Sequence, residues 1–401
     1  MPSRRSLIQA TGSGLAAAAF APLASRARQA TPMTTPVPAS PESAAPQTTA
    51  LIVSSTNDPL RVAGSDGMDH LEYDLIVTNT YPEPVTIALV EVLGADGQLL
   101  QQLEGDALAE ITQPILGFGP TKEIPGSSVV GVVMDVVVAR DEAIDLLDHR
   151  ITYRLPADSQ FASIIGSLVI EGPLLTVDPR QAVSIASPLH GPGWLTFNGC
   201  GNPPSLHRSI RLPIDGRAYS KPETFAIDWI QMVDGRPFTG DGARNEQWYC
   251  HGAEVTSATA GTVVEVSNGM PDQTPNTAPA NLHQPVDFGE NHVTVQMEDG
   301  VWAFYGHLIA DSIKVKVGDS VVAGQVLGLL GNSGNSTAPH LHFGLLDGPD
   351  PLANNSLPMV FDSYMLMGAI DEATGGDRAG SRWVSSGDCG DAAPGTGHIA
   401  A

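Results

Sequence analysis

His340 and His342 stand two residues apart in the run Gly331-Asn332-Ser333-Gly334-Asn335-Ser336-Thr337-Ala338-Pro339-His340-Leu341-His342-Phe343. Side chains at i and i+2 of a strand leave the same face, so an extended run here points both imidazoles into one site. Upstream, Tyr305-Gly306-His307-Leu308 offers a third histidine, and Phe225-Ala226-Ile227-Asp228-Trp229 offers an aspartate set among apolar neighbours. Imidazole and carboxylate are the donors of catalytic zinc sites, which commonly use three protein groups and leave one position for water. Imidazole also moves protons near neutral pH. No Gly-Lys-Ser/Thr step follows Gly331–Gly334, which argues against a phosphate loop, and Cys250 has no second cysteine at metal-site spacing.

The elements that must position these residues read as strands. Gly261-Thr262-Val263-Val264-Glu265-Val266, His292-Val293-Thr294-Val295-Gln296-Met297 and Val301-Trp302-Ala303-Phe304-Tyr305 are β-type runs, and Asp299-Gly300 between the last two signals a tight hairpin. Val315-Lys316-Val317-Gly318-Asp319-Ser320-Val321-Val322-Ala323-Gly324-Gln325-Val326-Leu327-Gly328 predicts two short strands around turns. Residues 270–285 hold four prolines and predict an exposed loop.

Together the segments around Asp228, His307, the 315–328 run and the His340-Leu341-His342 pair resemble the lysostaphin-like zinc metallopeptidases (LytM-type, the M23 family), which cut peptides of bacterial cell walls. The resemblance runs from about residue 225 to 343. It implies that Asp228 and His342 bind Zn2+, that His340 is the general base, and that His307 is a second catalytic histidine. In this chemistry zinc lowers the pKa of water and polarises the scissile carbonyl, while neutral histidines handle protons and developing charge. One position departs from the pattern. The family's first zinc ligand is a His four residues before the Asp, and that place is Thr224 here. Threonine is a poor zinc donor, so a replacement must come from elsewhere: His207 is the first candidate, His251 beside Cys250 the second, and Glu223 the third.

Ahead of this region, residues 50–186 carry short β-type runs at sandwich spacing, including Tyr73-Asp74-Leu75-Ile76-Val77-Thr78-Asn79 and Val85-Thr86-Ile87-Ala88-Leu89-Val90-Glu91-Val92, with helical pattern confined to residues 141–147. Their alternating acidic and apolar residues read as one solvated sheet face, and the unit as a spacer or binding module. The expected fold is therefore mostly β: an N-terminal antiparallel β-sandwich over 50–186, then an antiparallel β-sheet M23-type catalytic domain over 187–370. A Pro- and Thr-rich linker over 31–49 and a loose tail over 371–401 flank them.

Residues 1–30 read as an export signal. Arg4 and Arg5 precede a short weakly apolar run, and small residues surround Arg26, which resembles a twin-arginine signal. The chain holds 20 Lys+Arg against 44 Asp+Glu, a net −24, which argues against nucleic acid as a partner. No later run reaches membrane-spanning length. Cys200, Cys250 and Cys389 permit one disulfide of unspecified pairing. The expected function is hydrolysis of peptidoglycan peptides by a secreted zinc endopeptidase. The alternative is a catalytically degenerate domain that binds wall peptide or regulates another wall hydrolase.

Overall fold

The computed structural model describes residues 46–363, except 65–66, 116, 118, 141, 200–204, 281, 283–289 and 298–299. The export signal, most of the linker, the tail, Cys200 and Cys389 lie outside the described residues. Two antiparallel sheets form the N-terminal part. In the first, strands Leu51–Ser55, Met68–Asn79, Val129–Ala139 and Thr112–Pro114 lie side by side, and Leu60–Ala63 also pairs with Met68–Asn79. The second runs Val169–Glu171, Leu146–Arg154, Val85–Gly94, Leu99–Glu104, with two short strands added on. Alternation builds the core between them. Leu71, Tyr73, Leu75 and Val77 point inward with Val130, Val132, Met134 and Val136 from the neighbouring strand, and Val90, Val92, Ile151 and Tyr153 meet them from the second sheet. This is the expected sandwich. The helical pattern around 141–147 is overruled: Leu146–Arg154 is a strand whose partner Val85–Gly94 buries Leu147 and Ile151, and the helix lies instead at Gly105–Glu110.

At its centre the outer face of the first sheet is not solvated. Glu72 and Asp74, on the face opposite Leu71 and Tyr73, are 3% and 0% exposed. Alternation correctly separates the two faces, but it does not reveal what covers each one. Arg208, Arg211 and Lys221 cover this one, as described below.

The C-terminal part is built on an eight-stranded antiparallel sheet. Its main path is Trp194–Phe197, Ile227–Gln231, Leu341–Leu346, Trp302–Gly306, His292–Gln296, Gly261–Ser267 and Ser320–Val321, with Ser356–Leu357 added on Leu341–Leu346. The predicted hairpin joins His292–Gln296 to Trp302–Gly306 in register, Gln296 opposite Trp302. One face packs Ile227, Trp229, Val293, Val295, Ala303, Tyr305, Leu341, Phe343 and Leu345 onto Val255 and Leu327 of a smaller two-stranded sheet. Each such buried side chain contributes about 1.5–3 kcal/mol. A one-residue slip of the central strand would trade Leu341, Phe343 and Leu345 for His342 and Gly344 in this core, so burial fixes the register. The other face presents Asp228, His342, Phe304 and His292. Strand Val183–Ile185 pairs in parallel with Met359–Phe361, tying the start of this region to its end. No helix among the described residues is long and apolar enough to cross a membrane.

Candidate metal and catalytic site

Strand pairing sets the site's central row. Phe197 lies opposite Asp228, Asp228 opposite His342, and His342 opposite Gly306. Asp228 Oδ1 is 3.0 Å from His342 Nδ1 and 3.4 Å from His340 Nε2. Asp228 Oδ2 is 3.2 Å from His207 Nε2 and accepts a hydrogen bond from Asn198 Nδ2 at 2.8 Å. The strand period predicted the convergence of His340 and His342, and the pairing of their strand with 227–231 adds Asp228.

His207 comes from a short helical turn, Leu206–Ser209, capped by the Ser205 hydroxyl, which accepts from the Arg208 amide. Its Nδ1–H donates to the Ala226 carbonyl at 3.2 Å, which leaves Nε2 facing Asp228. His340 is fixed in the same way, Nδ1–H donating to the Ala338 carbonyl at 2.8 Å, and His307 donates Nδ1–H to the Ser333 carbonyl at 2.8 Å. A carbonyl only accepts, so each bond places a proton on Nδ1 and turns Nε2 to the site.

His307 follows Gly306 at the strand's end. Strict alternation would send it into the core beside Tyr305, but its backbone turns at φ 61°, a left-handed conformation uncommon for non-glycine residues, though His, Asn and Asp adopt it more often than others. The ring centroids of His307 and His340 are consequently 4.3 Å apart. The Ser333 carbonyl that holds His307 belongs to the glycine-rich run, which is itself anchored. The Asn332 amide donates to Asp272, Asn332 accepts from the Gln273 amide, and the Ser333 hydroxyl donates to the Leu308 carbonyl. The loop predicted over 270–285 is thus pinned to the site at its near end.

Among the described residues ligating atoms form three groups: His70, Glu72 and Asp135 on the first sheet of the sandwich, and two at this site that share His342. His207, Asp228 and His342 lie within 4.8 Å of one another, and so do His307, His340 and His342. The set of His207, Asp228 and His342 offers imidazole nitrogen, carboxylate oxygen and imidazole nitrogen, a donor set that fits a catalytic zinc ion. Of the other candidates for the third donor, Glu223 reaches 3.8 Å from His207 Nε2, at the rim. His251 is paired instead with Asp272 at 2.8 Å and joins none of these groups. Thr224 is buried with its hydroxyl unbonded, lining a cavity with Leu60, Glu72 and Lys221.

Burial by itself disfavours the Asp228 carboxylate, but His207 and His340 outweigh it and hold the carboxyl well below its usual range. Burial likewise disfavours the His207 cation, yet Asp228, then Glu223 and the Ala226 carbonyl, raise its pKa to about 9. His307 is pushed well below 6.5 by burial and by His340 and His342, and so stays neutral.

Two site residues escaped the sequence reading. Asn198 holds Asp228 from a left-handed turn at φ 54°. Glu290 lies 3.4 Å from His307 Nδ1, packed where a β-carbon on Gly306 or Gly334 would overlap it. Burial, with the nearby carboxylates of Glu223 and Asp228, pushes its pKa well up, which favours the protonated form. An acid in a Gly-Glu-Asn step before a strand carries no such signal. Cys250 is a buried free thiol, its pKa raised to about 11 by burial.

Residues 247–353 match the model of Peptidase family M23, so the chain contains a domain of that family. The match spans Glu290, His307, His340 and His342 but begins after His207, Thr224 and Asp228. Glycyl-glycine endopeptidase ALE-1 of Staphylococcus capitis is 50% identical over 56 residues, 14% of this chain and 15% of that protein. Lysostaphin of Staphylococcus simulans is 50% identical over 56 residues, 14% of this chain and 11% of that protein. The chain thus spans well under two thirds of either relative. Among solved structures, the catalytic domain of lysostaphin from Staphylococcus simulans is 24% identical, covering 36% of this chain and 80% of that one, with a TM-score of 0.22. A variant catalytic domain of the prophage-encoded M23 protein EnpA from Enterococcus faecalis is 23% identical, covering 42% and 92%, with a TM-score of 0.24.

Proposed function

We propose that the protein is a secreted zinc endopeptidase that hydrolyses peptide bonds of bacterial cell-wall peptidoglycan, with glycyl-glycine bonds as the first substrate to try. The observation that carries this reading is the pair of donor groups meeting at His342 on one sheet face. His207, Asp228 and His342 hold the metal. Zinc, when bound, supplies a Lewis acid that acidifies water and polarises a carbonyl.

The remaining work belongs to the chain. Asp228 balances the metal's charge and is itself oriented by the Asn198 amide. His340 takes the proton of the attacking water at Nε2, since its Nδ1–H is committed to the Ala338 carbonyl. Burial keeps His307 neutral with its proton on Nδ1, toward the Ser333 carbonyl, so Nε2 faces the site as an acceptor that orients the attacking water or takes a proton from it. The Phe304 and Phe197 rings, 6.0 Å from His342 and 5.9 Å from His340, wall the site with apolar surface. The degenerate wall-binding alternative rested on the Thr224 substitution, and His207 supplies a donor of the same kind.

The test is zinc content and turnover of the full chain on purified peptidoglycan and on an oligoglycine peptide. Zinc at one per chain with turnover abolished in His340→Ala supports the reading. A folded wild type that binds wall but neither takes up zinc nor cuts would establish the alternative.

A further inference from the structure

His207 and Arg208 are consecutive on the turn Leu206–Ser209 but face different bodies. His207 Nε2 is turned to Asp228, whereas Arg208 is fully buried against the outer face of the sandwich's first sheet. There its guanidinium pairs with Glu72 and donates to the Met134 carbonyl at 3.3 Å. Three residues on, Arg211 is fully buried too and pairs with Asp74, while its Nη1 donates to the Ser209 carbonyl at 3.2 Å. Lys221 closes the same segment by pairing with the other oxygen of Asp74. The sheet is shaped for this: Gly131 stands where a β-carbon would overlap the Arg211 guanidinium. Leu60 and Val62 of the sandwich share a small apolar cluster with Phe225, three residues before Asp228.

We propose that the N-terminal sandwich is a working part of the metal site, with Glu72 and Asp74 as positioning residues that hold His207 in ligand geometry through Arg208 and Arg211. This rests on the reading of His207 as a zinc ligand. The donor sits on a four-residue turn, too short to hold its own shape by the Ser205 cap, the Ser209 hydroxyl bond to the Ser205 carbonyl and the Ile210 amide bond to the His207 carbonyl. Buried, charge-assisted bonds from the neighbouring residues supply the missing rigidity. The side chains of Glu72 and Asp74 belong to one rigid strand, Met68–Asn79, paired over eleven residues with Val129–Ala139, so they offer a fixed reference. The sandwich thereby does for His207 what outer-shell partners do for a metal-ligating histidine, at longer range.

The experiment measures zinc affinity of the full chain, by competition with a chromophoric chelator, for wild type, Glu72→Gln, His207→Ala and the double variant. Cobalt-substituted spectra are recorded alongside, and near-ultraviolet circular dichroism monitors the fold. The expected result is a loss of about 10–100-fold in affinity for Glu72→Gln, the size seen for outer-shell partners. Its cobalt spectrum should shift toward that of His207→Ala, and Glu72→Gln should cost nothing further in the His207→Ala background. If Glu72→Gln does not fold, the pair Glu72→Leu with Arg208→Met removes both partners together and is read by the same affinity criterion. Unchanged zinc affinity in the folded variant, or an equal further loss in the His207→Ala background, overturns the proposal. Wild-type affinity in His207→Ala alone would instead overturn the ligand reading beneath it.

Discussion

Asp228 and His342 are cross-strand partners, and the carboxylate of one reaches the imidazole of the other at 3.0 Å. This contact depends on register, and register depends on Phe343 and Ile227, which pair one position along and are buried in the core beneath. The site is therefore a by-product of how the sheet packs: the apolar residues on one face decide which polar residues meet on the other.

The two histidines of the His340-Leu341-His342 run should separate on mutation. His342→Ala removes a donor common to both groups, so zinc and turnover should fall together. His340→Ala leaves His207, Asp228 and His342 intact, so zinc should stay near one per chain while turnover falls by about 10²–10⁴. Metal analysis of the two variants checks this. Equal zinc in wild type and His342→Ala would remove that histidine from the metal set.

Metal uptake should release a proton. In the metal-free protein His207 titrates at about 9, above the ordinary 6.5, because Asp228 outweighs burial. A metal-bound imidazole nitrogen cannot keep its proton, so binding at pH 7 expels it, and apparent affinity should rise about tenfold per pH unit from pH 7 to 9. The same shift acts on the metal-free fold. A folded pKa raised above the unfolded value gives stability that is full below pH 6.5 and lost as pH passes about 9. Chelated protein should weaken from pH 7 to 10 more than zinc-loaded protein does. Calorimetry in buffers of different ionisation enthalpy counts the protons.

Glu290 predicts a pH effect of opposite origin. Burial, then Glu223 and Asp228, favours the protonated carboxyl in the folded chain, while the unfolded chain ionises it near 4.5. The folded state then holds a proton that the unfolded state has lost, so wild-type stability falls as pH rises above 4.5 toward the raised folded value. Glu290→Gln keeps the shape without the proton. Its stability relative to wild type should increase from pH 5 to pH 8 in urea melts. A constant difference across that range would mean Glu290 is ionised in the fold.

The His340-Leu341-His342 pair was legible because a strand's two-residue period is local, and Asp228 through its apolar neighbours and its place in the motif that resembles the family's. His207 was reachable only by counting donors, since its approach depends on a turn docked from elsewhere. Glu72 and Asp74 were read as solvated because a strand alternating acid and apolar residues looks the same whether its polar face meets water or two arginines. The strand Leu146–Arg154 was blurred by a short acidic stretch before it, where residues 142–145 form no helix. Glu290 left no trace, because its partner His307 arrives only when the 292–296 and 302–306 strands pair.

The last prediction concerns cutting the chain at Ser187, between the two apolar cores. Composition suggests a spacer followed by a self-sufficient domain, and such a fragment would keep its fold and its metal. The buried contacts argue otherwise. Removal of the sandwich strips Glu72 from Arg208 and Asp74 from both Arg211 and Lys221, and it exposes Phe225, which is buried with Leu60 and Val62. Breaking one buried pair by removing a partner costs about 3–5 kcal/mol when the remaining charge stays buried. Here the three cations are free to turn to water, so the cost falls on the segment 205–221, which loses its docking surface. The fragment should keep its core sheet yet bind zinc far more weakly than the full chain, with exchange of the 205–221 amides accelerated. Supplying the sandwich as a separate chain should restore part of the affinity. A fragment with full zinc affinity and a protected 205–221 segment would show that the catalytic region holds His207 unaided.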